Sequence, residues 1–142
     1  MKINRIEPIL VHEWLLVAVH TDNGMSGIGE SAYWGHPKAA AQIIKEFEEY
    51  LIGKDPLNIE HHWQTLYKGT CFRGGALMGA LSAIDIALWD LAGKQLAVPV
   101  YQLLGGKTRD KVRAMLILNG ETGETLAEDA AKAVEEGFTF VK

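Results

Sequence analysis

Hydrophobic and polar positions alternate at the start of the chain, which is the pattern of half-buried β-strands. Residues 2–11 and 15–20 are predicted as two strands, and the glycine-rich residues 26–31 as a third. Asn23 and Gly24 lie between the last two strands and favour the positive φ angles of a tight hairpin turn. The pattern therefore predicts a three-stranded antiparallel sheet.

Further along the chain, the apolar spacing changes to three and four residues, which indicates amphipathic helices. Residues 39–51 and 59–67 are predicted as two helices. A third follows a loop that holds residues 71–75, and its apolar positions share one face, so we expect Leu81, Ile84 and Leu88 to be buried. Pro99 ends this helix. A sheet covered by a helical layer is an α+β fold.

The pattern changes again after Gly106. Residues 112–118 form a nearly continuous apolar run, typical of a strand buried on both faces. Residues 125–136 are predicted as a helix and residues 138–141 as the start of another strand. This strand–helix–strand order is typical of parallel sheets, but a closed β/α barrel needs about 250 residues. We therefore expect a capping domain at 1–107, an incomplete barrel start at 108–142, and a C-terminal segment that associates or is poorly ordered.

Composition and charge exclude several classes of function. The 142 residues are 48% apolar and 23% charged, which is the range of globular proteins. The net charge is −4 and no basic cluster is present, so we expect no nucleic-acid partner. The longest unbroken apolar run, residues 14–19, is too short to span a membrane, and residues 1–11 alternate like a strand and lack the apolar core of a signal peptide. The single cysteine, Cys71, fits a reducing compartment, so we expect a soluble cytoplasmic protein.

Several segments carry a resemblance to a known family. Residues 82–107, SAIDIALWDLAGKQLAVPVYQLLGGK, resemble the signature of the mandelate racemase and muconate lactonizing enzyme branch of the enolase superfamily. Residues 19–24 and 27–30 resemble the family's first hairpin. Residues 50–56, 63–67 and 72–75 are most similar to its sugar-acid dehydratases, such as galactonate and mannonate dehydratases. The resemblance covers essentially the whole chain.

The resemblance implies a fold and a chemistry. The fold is an enolase-like N-terminal domain followed by the start of a TIM barrel. The chemistry is removal of the proton α to the carboxylate of a sugar acid, with a magnesium ion stabilising the enolate, and then loss of a β-hydroxyl. The family's metal ligands lie on the third to fifth barrel strands, so we expect them outside this chain and expect the isolated chain to be inactive. A homo-oligomer is also expected.

The resemblance further implies four substrate-binding residues and one catalytic residue. Trp34 and His36 follow the third strand, at positions that face the substrate in related dehydratases; alternatively, the aromatic residue packs on the sheet and the histidine is a solvated turn residue. Arg73 has the planar fork that binds carboxylates, or it fixes the start of the long helix. Asn119 ends the first barrel strand, although Asn-Gly is also an ordinary turn pair. Lys142 matches the first lysine of the second-strand motif, but for the isolated chain we favour a terminal residue without a role.

Other polar residues fit structural roles better. The loop between the first two strands is short, about residues 12–14, where the family usually has a mobile loop. Asp85 and Asp90 fit an ion-pair network between the two domains, with Lys94 placed to pair with Asp90. His61 and His62 are adjacent and are predicted to lie on a solvated helix face. Racemisation or cycloisomerisation, or a non-catalytic binding or assembly role, stay open as alternatives to dehydration.

Overall fold

The structure, a computed structural model, describes residues 1–31 and 33–142, so Ala32 of the loop expected near the substrate lies outside it. The chain divides into two units, Met1–Gly106 and Lys107–Lys142.

The first unit contains the predicted antiparallel sheet. Strands β1 (Ile3–Val11), β2 (Trp14–Thr21) and β3 (Ser26–Ser31) lie in the order β1-β2-β3. Two residues join β1 to β2, and the first of them, His12, has a φ of +53°. Gly24, in the turn before β3, has a φ of +84°, as the Asn-Gly pair predicts. Both hairpins are therefore tight, and the short first connection is confirmed.

Three longer helices and one short helix complete the first unit. They are α1 (Pro37–Leu51), α2 (Ile59–Lys68), α3 (Gly75–Leu96) and α4 (Val100–Leu103). Leu81, Ile84 and Leu88 are buried, as expected, and lie beside His62, Trp63 and Leu66 of α2. The α+β fold with a helical layer is confirmed.

Helix α3 is buried over more of its surface than a single amphipathic stripe predicts. Its alanines Ala83 and Ala87 face the glycines of β3, while its leucine and isoleucine residues face α2. By length and composition alone the helix is apolar enough to cross a membrane. Its burial against a sheet on one side and α2 on the other instead identifies it as the central helix of the core.

Polar groups close both edges of the sheet. On β3, the Ile28 amide donates to Asp90 Oδ2 at 2.8 Å, and Lys94 Nζ donates both to the Ser26 carbonyl and to Asp90 Oδ2, each at 2.8 Å. On β1, the Ile3 amide donates to the Lys54 carbonyl at 2.9 Å. The predicted Asp90–Lys94 ion pair is present and joins α3 to β3 within the first unit. The ion-pair network expected between the two domains stays a prediction.

The second unit consists of helix α5 (Gly123–Glu135) and one short parallel pairing. The Leu116 amide donates to the Phe140 carbonyl at 3.1 Å, the Lys142 amide to the Leu116 carbonyl at 3.0 Å, and the Leu118 amide to the Lys142 carbonyl at 2.8 Å. The predicted strand at 112–118 is not continuous: its pairing is limited to a bridge at Leu116. Ile117 is 62% exposed, which fits the expectation that this segment is uncovered without its barrel neighbours. A parallel strand needs neighbours on both edges and cover on both faces to be buried, and this one has a single neighbour.

Candidate functional site

The loop after β3 is fixed by contacts of Tyr33 with two glycines of α3. A Cβ atom on Gly75 would lie 2.1 Å from the Tyr33 ring, and one on Gly79 would lie 2.8 Å from Tyr33 Cβ. At Gly79 the added atom would meet the tyrosine next to its backbone, whereas at Gly75 it would meet the end of the ring, which can turn away. Tyr33 therefore has a packing role, and it places residues 34–36 beside the beginning of α3.

Trp34 is exposed rather than packed in the core. Its side chain is 73% exposed, and its ring meets the Trp14 ring edge-on, with 5.7 Å between centroids and an interplanar angle of 66°. Trp14 is the first residue of β2, directly after the short hairpin turn. The pair presents an apolar surface with an indole N–H on each ring, and such surfaces suit the C–H faces of polyols.

His36 is the N-cap residue of α1, and only its backbone takes part in the cap. It is exposed, lies directly before Pro37, and its ring centroid is 6.0 Å from that of Tyr33. Its carbonyl accepts a hydrogen bond from the Ala39 amide at 3.1 Å, while its side chain makes no capping bond. The imidazole is therefore free of any helix-capping task, and its assignment to the substrate stays a prediction.

Arg73 lies in the loop between α2 and α3 and is held by α2. Its guanidinium carbon lies 4.0 Å from the centroid of the Tyr67 ring, which stacks on Trp63 with 4.6 Å between centroids. In the part of the chain that the structure describes, no carboxylate pairs with Arg73. A stacked guanidinium keeps its N–H groups, which point outward in its own plane, available for an anion.

The other two predicted site residues, Asn119 and Lys142, lie together in the second unit. The hydrogen bond from the Leu118 amide to the Lys142 carbonyl places residues 119 and 142 beside each other on two neighbouring parallel segments. Both residues are exposed. The structure thus groups Trp34, His36 and Arg73 in one unit and Asn119 with Lys142 in the other.

No set of ligands for a metal ion is formed by residues 1–31 and 33–142: histidine, cysteine, aspartate and glutamate residues do not come together in groups of three or more. The magnesium ligands that the resemblance implies are expected on barrel strands outside this chain, and they stay a prediction.

Two titratable residues lie in environments that sequence reasoning missed. His62 is 2% exposed, so the prediction that it lies on a solvated helix face is wrong, whereas His61 is exposed as predicted. Asp85 is half-buried, and burial together with the nearby Glu60 carboxylate raises the pKa of its carboxyl, while the Trp89 side chain acts in the opposite direction. The tertiary contacts of α2 with α1 and α3 create both environments.

Comparison with known proteins shows the family of the chain. Residues 9–105 match the N-terminal domain of the mandelate racemase / muconate lactonizing enzyme family. The chain is 41% identical over 144 aligned residues to D-galactonate dehydratase of Variovorax paradoxus, an alignment that covers 100% of this chain and 38% of that protein. The chain belongs to the mandelate racemase / muconate lactonizing enzyme family.

Solved structures show the same fold. A member of the enolase superfamily from Salmonella Typhimurium superimposes with a TM-score of 0.88 and 35% identity, covering 99% of this chain and 41% of that chain. An enolase from Agrobacterium radiobacter, a candidate galactarate dehydratase with bound sodium and L-malate, superimposes with a TM-score of 0.86 and 32% identity, covering 99% and 37%. The 142 residues thus span about two fifths of the length of the relatives they match.

Proposed function

We propose that this chain forms the substrate-covering N-terminal part of a cytoplasmic, homo-oligomeric acid-sugar dehydratase of the enolase superfamily. The observation that carries the proposal is the 41% identity to a D-galactonate dehydratase over the whole chain. The exposed Trp14–Trp34 pair and the Arg73 guanidinium, which stacks on Tyr67 and has no carboxylate partner among the described residues, are a second, structural support. A polyol with a carboxylate can pack its C–H faces on the tryptophan pair and bind its anionic group to the guanidinium.

The reaction in this proposal removes the proton α to the carboxylate and then eliminates a β-hydroxyl. Magnesium is the ion proposed for this enzyme, and when bound it would neutralise the charge that develops on the carboxylate. The residues of this chain have binding roles: Trp34 covers an apolar face of the sugar acid, while His36 and Asn119 hydrogen-bond its hydroxyls. Arg73 binds its carboxylate or a distal anionic group. Lys142, which matches the first lysine of the family's second-strand motif, is the proposed member of the acid–base machinery.

A chimera tests the proposal. The matching segment of the Variovorax paradoxus enzyme is replaced by residues 1–142, and formation of the 2-keto-3-deoxy product from D-galactonate is measured with magnesium present. We expect turnover by the chimera. A folded chimera that converts neither D-galactonate nor any other acid sugar in a panel would refute the proposed function.

The proposed binding role of Arg73 is tested by comparing two arginine variants of the chimera. Removing a hydrogen bond to a charged group costs about 1.5–3 kcal/mol, so Arg73→Ala should raise KM by about 10- to 100-fold, with partial recovery in Arg73→Lys. Arg5→Ala is the matched control, because Arg5 is an exposed arginine whose partners are Glu7 and His20. An active chimera in which Arg73→Ala and Arg5→Ala have the same KM would remove Arg73 from the site.

A further inference from the structure

His62 connects three parts of the first unit through its two ring nitrogens. Nδ1 lies 3.1 Å from the Tyr50 hydroxyl oxygen of α1, and Nε2 lies 2.8 Å from the carbonyl oxygen of Asp55, in the turn between α1 and α2. The ring is 2% exposed. A buried imidazole with a partner on each nitrogen fixes the position of its helix relative to both neighbours.

These partners assign the protonation state of the ring. A carbonyl oxygen only accepts hydrogen bonds, so Nε2 carries the proton and donates to Asp55. Nδ1 then accepts a hydrogen bond from the Tyr50 hydroxyl. A second proton on Nδ1 would reverse this bond, with the Tyr50 hydroxyl turned to accept it. The arrangement in which Tyr50 donates is therefore that of the neutral ring, and burial of the ring opposes the charged form.

The surroundings also oppose a charge on His62. Burial lowers the pKa of this imidazole, and the positive groups of His61 and Lys54 act in the same direction. The hydrogen bond to the Asp55 carbonyl and the Asp55 carboxylate raise it, but burial is the largest effect. On the α3 side, Asp85 lines the same small void as His62.

We propose that His62 is an acid-sensitive joint: its neutral ring holds α2 and the 52–58 turn against α1, and its protonation releases α2 from the core. The release is local, because the sheet and α3 share a separate set of contacts in which the β3 glycines lie directly on the α3 backbone. Helix α2 contributes Ile59, His62 and Leu66 as its buried side chains, and one of these three would become charged.

Release of α2 would also reach the candidate site. Tyr67 of α2 lies under the Arg73 guanidinium, with 4.0 Å between the guanidinium carbon and the ring centroid. If α2 left the core, Tyr67 would move with it and the Arg73 guanidinium would lose the ring on which it stacks. The consequence for substrate binding rests on the proposed function, whereas the joint itself does not and is tested on the 142-residue chain alone.

The direction of the pH effect follows from linkage. Above pH 6.5, His62 is neutral in both the folded and the unfolded chain and contributes its full stabilisation. Below pH 6.5, the His62 imidazole is protonated in the unfolded chain but stays neutral in the folded chain. The unfolding constant therefore rises by up to about tenfold per pH unit until the pH reaches the pKa of His62 in the folded chain. Asp85 has the opposite sign, because a raised carboxyl pKa in the folded chain costs stability as the pH rises through it.

The experiment combines denaturation and hydrogen exchange. Unfolding by urea is followed between pH 7.5 and 5.0 for the wild type, for His62→Leu and for His36→Leu, the same substitution at an exposed histidine whose side chain makes no capping bond. We expect a smaller acid-induced rise of the unfolding constant in His62→Leu, and the wild-type rise in His36→Leu. Amide exchange in the wild type, corrected for intrinsic rates, should show loss of protection at 59–68 at pH 5.0 while 80–92 stays protected.

NMR titration of the wild-type imidazoles covers the case in which His62→Leu does not fold. The His62 ring should show the Nε2–H tautomer at neutral pH and a midpoint below 6.5. An ordinary midpoint for His62, an equal pH response in His62→Leu and wild type, or simultaneous loss of protection in α2 and α3 would overturn the proposal.

Discussion

The contact between β3 and α3 allows a quantitative prediction for Gly29. A Cβ atom added to Gly29 would lie 1.9 Å from the Ala83 carbonyl oxygen and 2.9 Å from the Ala87 amide nitrogen. Gly27, on the same face of the strand, meets the Ala87 carbonyl oxygen in the same way, at 2.0 Å. The sheet therefore lies directly on the helix backbone along this line. We predict that Gly29→Ala separates the two elements.

The size of the effect follows from these distances. Ordinary van der Waals contact begins at 3.4 Å, so a clash at 1.9 Å requires a displacement of 3.4 − 1.9 = 1.5 Å. The obstructing atom belongs to the backbone, so rotation of a side chain gives no relief. Overpacking in cores typically costs 1–3 kcal/mol, and we expect Gly29→Ala to cost about 3 kcal/mol. This is a large fraction of a domain stability of about 5–15 kcal/mol.

Urea denaturation followed by tryptophan fluorescence measures this cost. Gly74→Ala is the matched control, since the added Cβ at Gly74 meets no atom within 4 Å and the residue has an extended φ of −150°. Its loss should stay below about 1 kcal/mol, as expected for a helix N-cap. The double variant Gly29→Ala/Ala83→Gly should not recover stability, because the obstacle is the Ala83 carbonyl. Equal stability of the Gly29→Ala and Gly74→Ala variants would show that the close approach does not exist.

Three further predictions concern the strand edge, the activity and the second unit. Asp90→Ala removes the acceptor of the Ile28 amide and the partner of Lys94, so its free energy of unfolding, measured by urea denaturation, should fall by about 1 kcal/mol. Asp90→Asn should lower the free energy of unfolding by less. An unchanged free energy of unfolding in Asp90→Ala would exclude a role of Asp90 in closing the β3 edge. The purified 142-residue chain should convert no sugar acid with magnesium present, and turnover by it would contradict the placement of the metal ligands elsewhere. By light scattering, the chain should associate more than a version that ends at Lys107, since Ile117 is 62% exposed beside an open strand edge; identical masses at all concentrations would contradict this.

The helices and strands of the first unit could be predicted from the sequence because each has its own repeat. Alternation gave the three strands, and a spacing of three and four gave α1 and α2, with ends within two residues of those observed. The pattern could not give the second buried face of α3. That face consists of small residues such as Ala83 and Ala87, which carry too little hydrophobicity to stand out in a periodicity.

The burial of His62 could not be predicted from the sequence for a different reason. Its burial depends on Tyr50, twelve residues earlier, and on a backbone carbonyl in a turn. A backbone group has no signature in a sequence, and a pair of adjacent histidines is by itself typical of a solvated face. The resemblance to a family named Trp34, His36 and Arg73, but their partners Trp14 and Tyr67 emerged only from the tertiary structure.

The position of the candidate site depends on the same packing that defines the fold. Gly27 and Gly29 admit α3 to the sheet from one side, and Gly75 and Gly79 of α3 admit Tyr33, which continues from β3. Glycines of the strand thus contact the backbone of the helix, and glycines of the helix contact the residue that follows the strand. Because Tyr33 precedes Trp34 and Arg73 precedes the first turn of α3, any change in the spacing between β3 and α3 moves these two side chains relative to each other. Substitutions at these glycines should therefore alter substrate binding as well as stability.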